Sequence, residues 1–196
     1  RTEVCQTIYG IMHPDSGEIR LEGKKVDIKS PIDALNLGIG LLPENRQTQG
    51  LVNELPIYQN VSSASMKQFV KGGQMDVDKE MENDITAPPS SLSGGNQQKV
   101  VVAKMLSSDQ KVLIMDEPTK GIDVGAKYSI YEIMNSLACK GYGIIMVSSE
   151  MPEVLGVADR VVVMKSGRVT GEFGDMETVT QEMLLEASLK EREGHK

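Results

Sequence analysis

Val112-Leu113-Ile114-Met115-Asp116-Glu117-Pro118 decides the fold of this chain. Four consecutive apolar residues run into two adjacent carboxylates and a proline. Unbroken apolarity over strand length means burial on both faces, as in a parallel sheet covered by helices. Ile144-Ile145-Met146-Val147 and Val161-Val162-Val163-Met164 repeat the pattern. Helical stripes separate them: Ala126, Ile130, Ile133, Met134 and Leu137 lie between the first two, and Val154, Leu155 and Ala158 between the second and third. Strand–helix alternation of this kind predicts an α/β fold with a mainly parallel sheet and helices on both faces.

Upstream of this core, Glu18-Ile19-Arg20-Leu21 and Lys25-Val26-Asp27-Ile28 flank a central Gly23, which predicts a small antiparallel β part over about 17–28. Ser30-Pro31 supplies an N-cap and a first-turn proline for a helix from Pro31 to about Leu37, and Ile39 to Leu42 reads as a strand. From about 57 to 91 the pattern predicts a helical insertion, with Ile57, Val61, Ala64, Met66 and Phe69 loosely helical, Met75 to Ile85 acidic, and a Pro-rich linker closing it. The core is expected over about 92–175. Arg168 to Phe173 reads as a last strand, and Thr180 to Lys190 as a final helix within 176–196. The whole, 1–196, reads as one domain.

Charge narrows the function. The 196 residues carry 21 basic and 28 acidic side chains, a net charge of −7, which disfavours a face for duplex nucleic acid. Phosphate held locally by backbone amides remains open. Cys5 and Cys139 lie far apart without CxxC spacing, which argues against a disulfide framework or zinc site. His13 and His195 have no ligand partner at useful spacing. No stretch approaches the roughly 18 to 20 apolar residues that span a bilayer. The start has no apolar signal-peptide core, so a reducing, cytosolic setting is expected.

Two motifs carry chemistry. The strand ending in Asp116-Glu117 has the Walker B arrangement, delivering both acids to the C-terminal edge of the sheet, where ligands bind in such folds. Asp116 is the candidate Mg²⁺ ligand and Glu117 the candidate base for an attacking water; an acidic turn after a core strand is the bland alternative. One helix upstream stands Leu92-Ser93-Gly94-Gly95-Asn96-Gln97-Gln98-Lys99. Its two glycines let backbone approach an anion, the following helix start aims amides at it, and Ser93 adds a hydroxyl. A capped helix after a linker is the alternative there.

In that order the two motifs resemble the signature motif and Walker B of ABC-type ATPases. Gly121-Ile122-Asp123 resembles their D-loop. The stretch from Asp116 to Lys127 is similar to the monosaccharide (ribose, galactose or xylose-type) importers, whose ATP-binding subunit carries two nucleotide-binding domains in tandem. Ser148-Ser149-Glu150-Met151-Pro152-Glu153 and Pro43-Glu44-Asn45-Arg46 match the second of these. The resemblance covers nearly all of 1–185 and implies a P-loop NTPase (RecA-like) fold, ATP and Mg²⁺ as cofactors, and ATP hydrolysis in the full subunit. It also implies partners: the first nucleotide-binding domain, the transmembrane permease subunits and, indirectly, a sugar-binding protein, with no nucleic acid. The expected location is peripheral, on the cytoplasmic face of the inner membrane.

Residue by residue, the resemblance implies ATP-binding roles for Arg1, Thr2, Ser93, Gly94, Gly95, Asn96, Gln97, Asp123 and Ser149. It implies metal binding by Asp116 and Thr2, catalysis by Glu117, and membrane-subunit coupling or Mg²⁺ sensing by Glu44. Departures are specific. Arg1-Thr2-Glu3 aligns with the end of the Walker A loop, with arginine in the lysine position and its preceding glycines outside this sequence. Glu44 stands at the Q-loop glutamine, and Ser149 at the switch histidine, where it offers no protonatable ring. With an insertion shorter than its family counterpart, the sequence reads as an incomplete domain whose own ATP site is weak. Alternative readings are a degenerate, nucleotide-responsive dimerisation domain that supplies only its signature motif, and a soluble ABC-type ATPase acting on DNA or ribosomes. The sugar is out of reach of this sequence.

Overall fold

A computed structural model describes residues 1–63, 70–71, 74–75 and 86–190. They form two compact units, one of Thr2–Val147 and one of Ser148 onward together with Arg1.

The larger unit is built on the quoted stretch. Val112–Asp116 (β6) pairs in parallel with Ile39–Leu42 (β3) on one side and Gly143–Val147 (β7) on the other. The register sets Met115 between Leu42 and Met146. Being central, β6 buries Leu113, Ile114 and Met115 completely. Each contributes about 1.5–3 kcal/mol of apolar burial. Thr2–Ile8 (α1) packs on β6, Pro31–Asn36 (α2) on β3, Gly94–Leu106 (α4) on β3, and Val124–Cys139 (α5) on both β7 and α4. Cys5, Ile28, Ala34, Ile39 and Ile114 make one core cluster. Burial, with a smaller push from the Asp116 charge, raises the Cys5 thiol to about 11, which makes it a packed, unreactive group.

Local chemistry explains the element boundaries. Ser30 caps α2 by accepting from the Asp33 amide, with Pro31 in the first turn. The small hairpin forms as expected from Ile19–Leu21 (β1) and Lys24–Val26 (β2). Beyond β3, Asn45 accepts from the Gln47 and Thr48 amides at 3.1 and 3.2 Å and starts a π turn over Arg46–Gly50. Within the expected insertion, Ile57–Ser62 (α3) is helical and packs on α4. Val70–Lys71 (β4) and Gln74–Met75 (β5) pair antiparallel, and Pro89–Ser91 forms a 3₁₀ turn. The expected acidic helix to Ile85 lies almost wholly outside the described residues, as does His195.

The smaller unit contains Met151–Val157 (α6), Val161–Lys165 (β8), Arg168–Phe173 (β9) and Gln181–Leu189 (α7). Here one expectation is corrected. The third apolar run is not part of the three-stranded parallel sheet; as β8 it pairs antiparallel with β9. Turn chemistry outweighs continuous apolarity: Ser166 and Gly167 both take positive φ, 49° and 76°, the geometry of a tight two-residue hairpin. Val161 is buried, whereas Val162 is 46% exposed. Among the described residues, no helix is long and apolar enough to cross a membrane.

Asn60 anchors the chain between the π turn and α3. Fully buried, it accepts from the Val52 amide at 2.8 Å and donates to the carbonyls of Val52, Leu55 and Pro56. Asn60→Ala strands these backbone groups and is expected to cost about 2 kcal/mol or more in denaturant unfolding. A loss below about 0.5 kcal/mol, the range of a surface substitution, would show that water replaces the side chain.

Candidate functional site

Asp116 is the last residue of β6 and only 2% exposed, yet its Oδ1 has no hydrogen-bond partner. Burial raises its pKa above the ordinary 3.8; a hydrogen bond with the Thr2 side chain opposes this, and the nearby Glu44 and Glu117 charges add to it. Thr2 is half-buried at the start of α1. A buried carboxylate with an unused oxygen beside a hydroxyl could hold a hard cation. Among the described residues no group of three or more His, Cys, Asp or Glu could hold a metal.

Glu117 follows in the left-handed region, φ 49°, which is costly for a residue with a side chain. Its amide donates to Val147 O at 2.8 Å and its carbonyl accepts from the Lys120 amide at 3.1 Å, closing a tight turn. Pro118 and Thr119 are fully buried within it. Glu44, exposed past the end of β3, pairs with Lys120 Nζ at 2.6 Å, and this bond holds the Lys120 ammonium above its ordinary pKa. Thr2, Gln6, Glu44, Asn45, Arg46 and Lys120 border an open groove of about 480 Å³. Thr2, Glu44 and Glu117 thus all lie near Asp116.

The second motif begins α4. Ser93 is the N-cap and accepts from the Asn96 amide at 3.4 Å, leaving Asn96 exposed. Asp123 caps α5 by accepting from the Ala126 amide at 2.9 Å. Three residues of this motif have packing roles. Gln97 is not a ligand-facing side chain: it is buried and donates to Pro89 O and Leu92 O, tying down the linker. On the side where a Cβ would stand, both glycines meet protein. A Cβ on Gly95 would overlap the Ala126 methyl, so the glycine lets α4 and α5 touch. A Cβ on Gly94 would stand 2.8 Å from Arg46 Nη2 and 3.3 Å from Gly121 O.

Arg1 and Ser149 belong to the smaller unit. Arg1 Nη1 donates to Ser148 O at 2.7 Å, and Ser149 is exposed. Ser148 Oγ donates to the buried Glu153 at 2.7 Å and accepts from the Glu150 amide. The sequence reading missed Lys120 and Arg46 as site residues, although both stood inside quoted motifs. Their position after Glu44 and Glu117 was the available signal.

Comparison with known proteins settles the family, since residues 1–120 match the ABC transporter family profile. The chain belongs to the ABC transporter family. As an ABC ATP-binding chain it is related to sugar-import ATPases. It is 46% identical to the xylose import ATP-binding protein XylG of Moorella thermoacetica over 198 residues, 94% of this chain and 39% of that protein. It is also 46% identical to the ribose import ATP-binding protein RbsA of Lacticaseibacillus paracasei over 200 residues, again 94% and 39%. The chain thus spans about two-fifths of the curated relatives it matches. A nucleotide-free ATP-binding cassette of an ABC transporter shares the fold at a TM-score of 0.77 and 18% identity, over 96% of this chain and 83% of that one. A structure from the Clostridium perfringens transporter complex cbiONQ matches at 0.73 and 28% identity, over 93% and 75%.

The Asp116 environment makes a pH prediction. Because its folded pKa is raised, ionised Asp116 weakens folding; the penalty is absent below pH 3.8 and grows as pH rises through the folded value. Asp116→Asn, which still accepts from Thr2, is therefore expected to raise the melting temperature by a few degrees at pH 7, and the gain should vanish near pH 3. Equal loss of stability at both values would show that the ionised carboxylate is not strained there.

Proposed function

We propose that this chain is the ATP-binding, energy-coupling domain of a monosaccharide ABC importer, and the second of two such domains in its subunit. The observation that carries the reading is Asp116: a buried carboxylate with an unpartnered oxygen, at the C-terminal edge of a parallel sheet, beside a threonine hydroxyl and followed by Glu117. Asp116 and Thr2 would hold Mg²⁺, which supplies charge neutralisation at the β- and γ-phosphates when bound. Glu117, fixed by its turn, would orient a water and accept its proton. Relatives named for xylose and for ribose are equally similar, at 46%. This supports sugar selection by a sugar-binding protein and permease subunits rather than by this domain. Coupling to those subunits puts the chain at the cytoplasmic face of the inner membrane, with Glu44 at the exposed end of β3 as the coupling residue.

The division of labour follows from which halves are intact. Pairing with the first domain head to tail would present Ser93, Gly94 and Gly95 to a nucleotide held by the partner's phosphate loop, while Asp123 steadies the facing helix. This chain's own site would be the weaker one, because serine stands at 149 where the resemblance puts a protonatable histidine. Within the smaller unit the Arg1 guanidinium is engaged by the Ser148 carbonyl, which favours the second reading, a nucleotide-responsive domain that contributes only its signature motif.

In the complete subunit, Ser93→Arg is expected to lower ATPase about a hundredfold, the scale for losing donors around a reacting phosphate. Glu117→Gln should leave most turnover. Abolition of turnover by Glu117→Gln alone would reverse the assignment of the two sites.

A further inference from the structure

Arg46 begins the π turn two residues after Glu44 and touches two other segments at once. Its Nη1 donates to Lys120 O at 2.9 Å and its Nη2 to Gly121 O at 3.3 Å, so one planar fork takes two successive carbonyls. On the same nitrogen, the absent Cβ of Gly94 leaves just the space the guanidinium fills. At the far end of the π turn, Gly50 O accepts from Lys104 Nζ at 3.1 Å, from α4 itself. Burial lowers the pKa of that lysine. The segment leaving β3 is thus fastened to the signature helix near both of its ends and to the loop that follows Asp116-Glu117.

This fastening matters because Glu117 is held in a left-handed conformation that it would not keep unaided. The turn from Glu117 to Lys120 closes through the Lys120 amide, and Arg46 restrains the carbonyl of the same residue. We propose that Arg46 is a positioning residue of the nucleotide site: it keeps the Glu117–Gly121 turn in register with the Ser93–Gly95 helix start and passes movement of the Glu44 segment to both. The proposal rests on the ATP-binding reading above. Arg46 touches no nucleotide in this scheme. A lysine in its place would keep the charge and reach one carbonyl, losing the fork.

The test uses the complete ATP-binding subunit with Arg46→Ala and Arg46→Lys. Two quantities are read: amide hydrogen exchange at Lys120 without nucleotide, and kcat and KM for ATP. Loss of two charge-assisted bonds should speed exchange at Lys120 about tenfold and, through the Ser93–Gly95 helix start that serves the partner's site, lower kcat about tenfold, with KM changed less than about twofold; Arg46→Lys should fall between. Unchanged exchange at Lys120 overturns the proposal, and so does a raised KM with kcat intact, which would make Arg46 a direct nucleotide ligand. If Arg46→Ala does not fold, Arg46→Lys carries the same two criteria. Exchange that responds as expected in a subunit whose native form lacks ATPase upholds the latch and overturns the ATP reading instead.

Discussion

Everything at the site depends on one carboxylate being carried into the protein interior at the end of a central strand. β6 can bury Leu113, Ile114 and Met115 because it has a parallel neighbour on each side. The same placement buries Asp116, where ionisation is disfavoured and one oxygen lacks a partner. A protein gains no stability from such an arrangement. A site that exchanges the missing hydrogen bond for a cation does gain from it, because a low-dielectric carboxylate attracts a divalent ion more strongly than a solvated one.

The surroundings of Asp116 form a set of mutually restraining turns. Glu117 adopts an unfavourable backbone conformation, held by the Val147 carbonyl on one side and the Lys120 amide on the other. Lys120 is itself held by Glu44 and Arg46, and Arg46 abuts the first turn of α4. Asn45 and Asn60 fix the backbone between those contacts. The outcome is a continuous path from the exposed end of β3, through the acidic turn, to the signature helix. Such a path is what the proposed energy-coupling role requires.

Much of this was legible in the sequence because the decisive residues sit where periodicity and turn chemistry agree. Four apolar residues before Asp116 specify a doubly covered strand, and Ser30-Pro31 specifies a helix start. The failures share a cause: each depended on what a residue meets across the fold. Val161 to Met164 looks like the other buried runs, and only the Ser166-Gly167 turn reveals an antiparallel hairpin. That Arg46 and Ala126 pack where Gly94 and Gly95 lack a Cβ carried no signal in the sequence either. Gln97 looks like a polar ligand until its donors are traced to Pro89 and Leu92.

The central claim is that the start of α4 faces a nucleotide bound by a partner domain. Photocleavage of the complete subunit trapped with Mg²⁺, ADP and vanadate tests it directly, since vanadate occupies the γ-phosphate position and cuts the chain beside it on irradiation. The account predicts cleavage of this chain within Ser93–Gly95. Trapping that cuts the chain at Thr2 and leaves Ser93–Gly95 whole would contradict it.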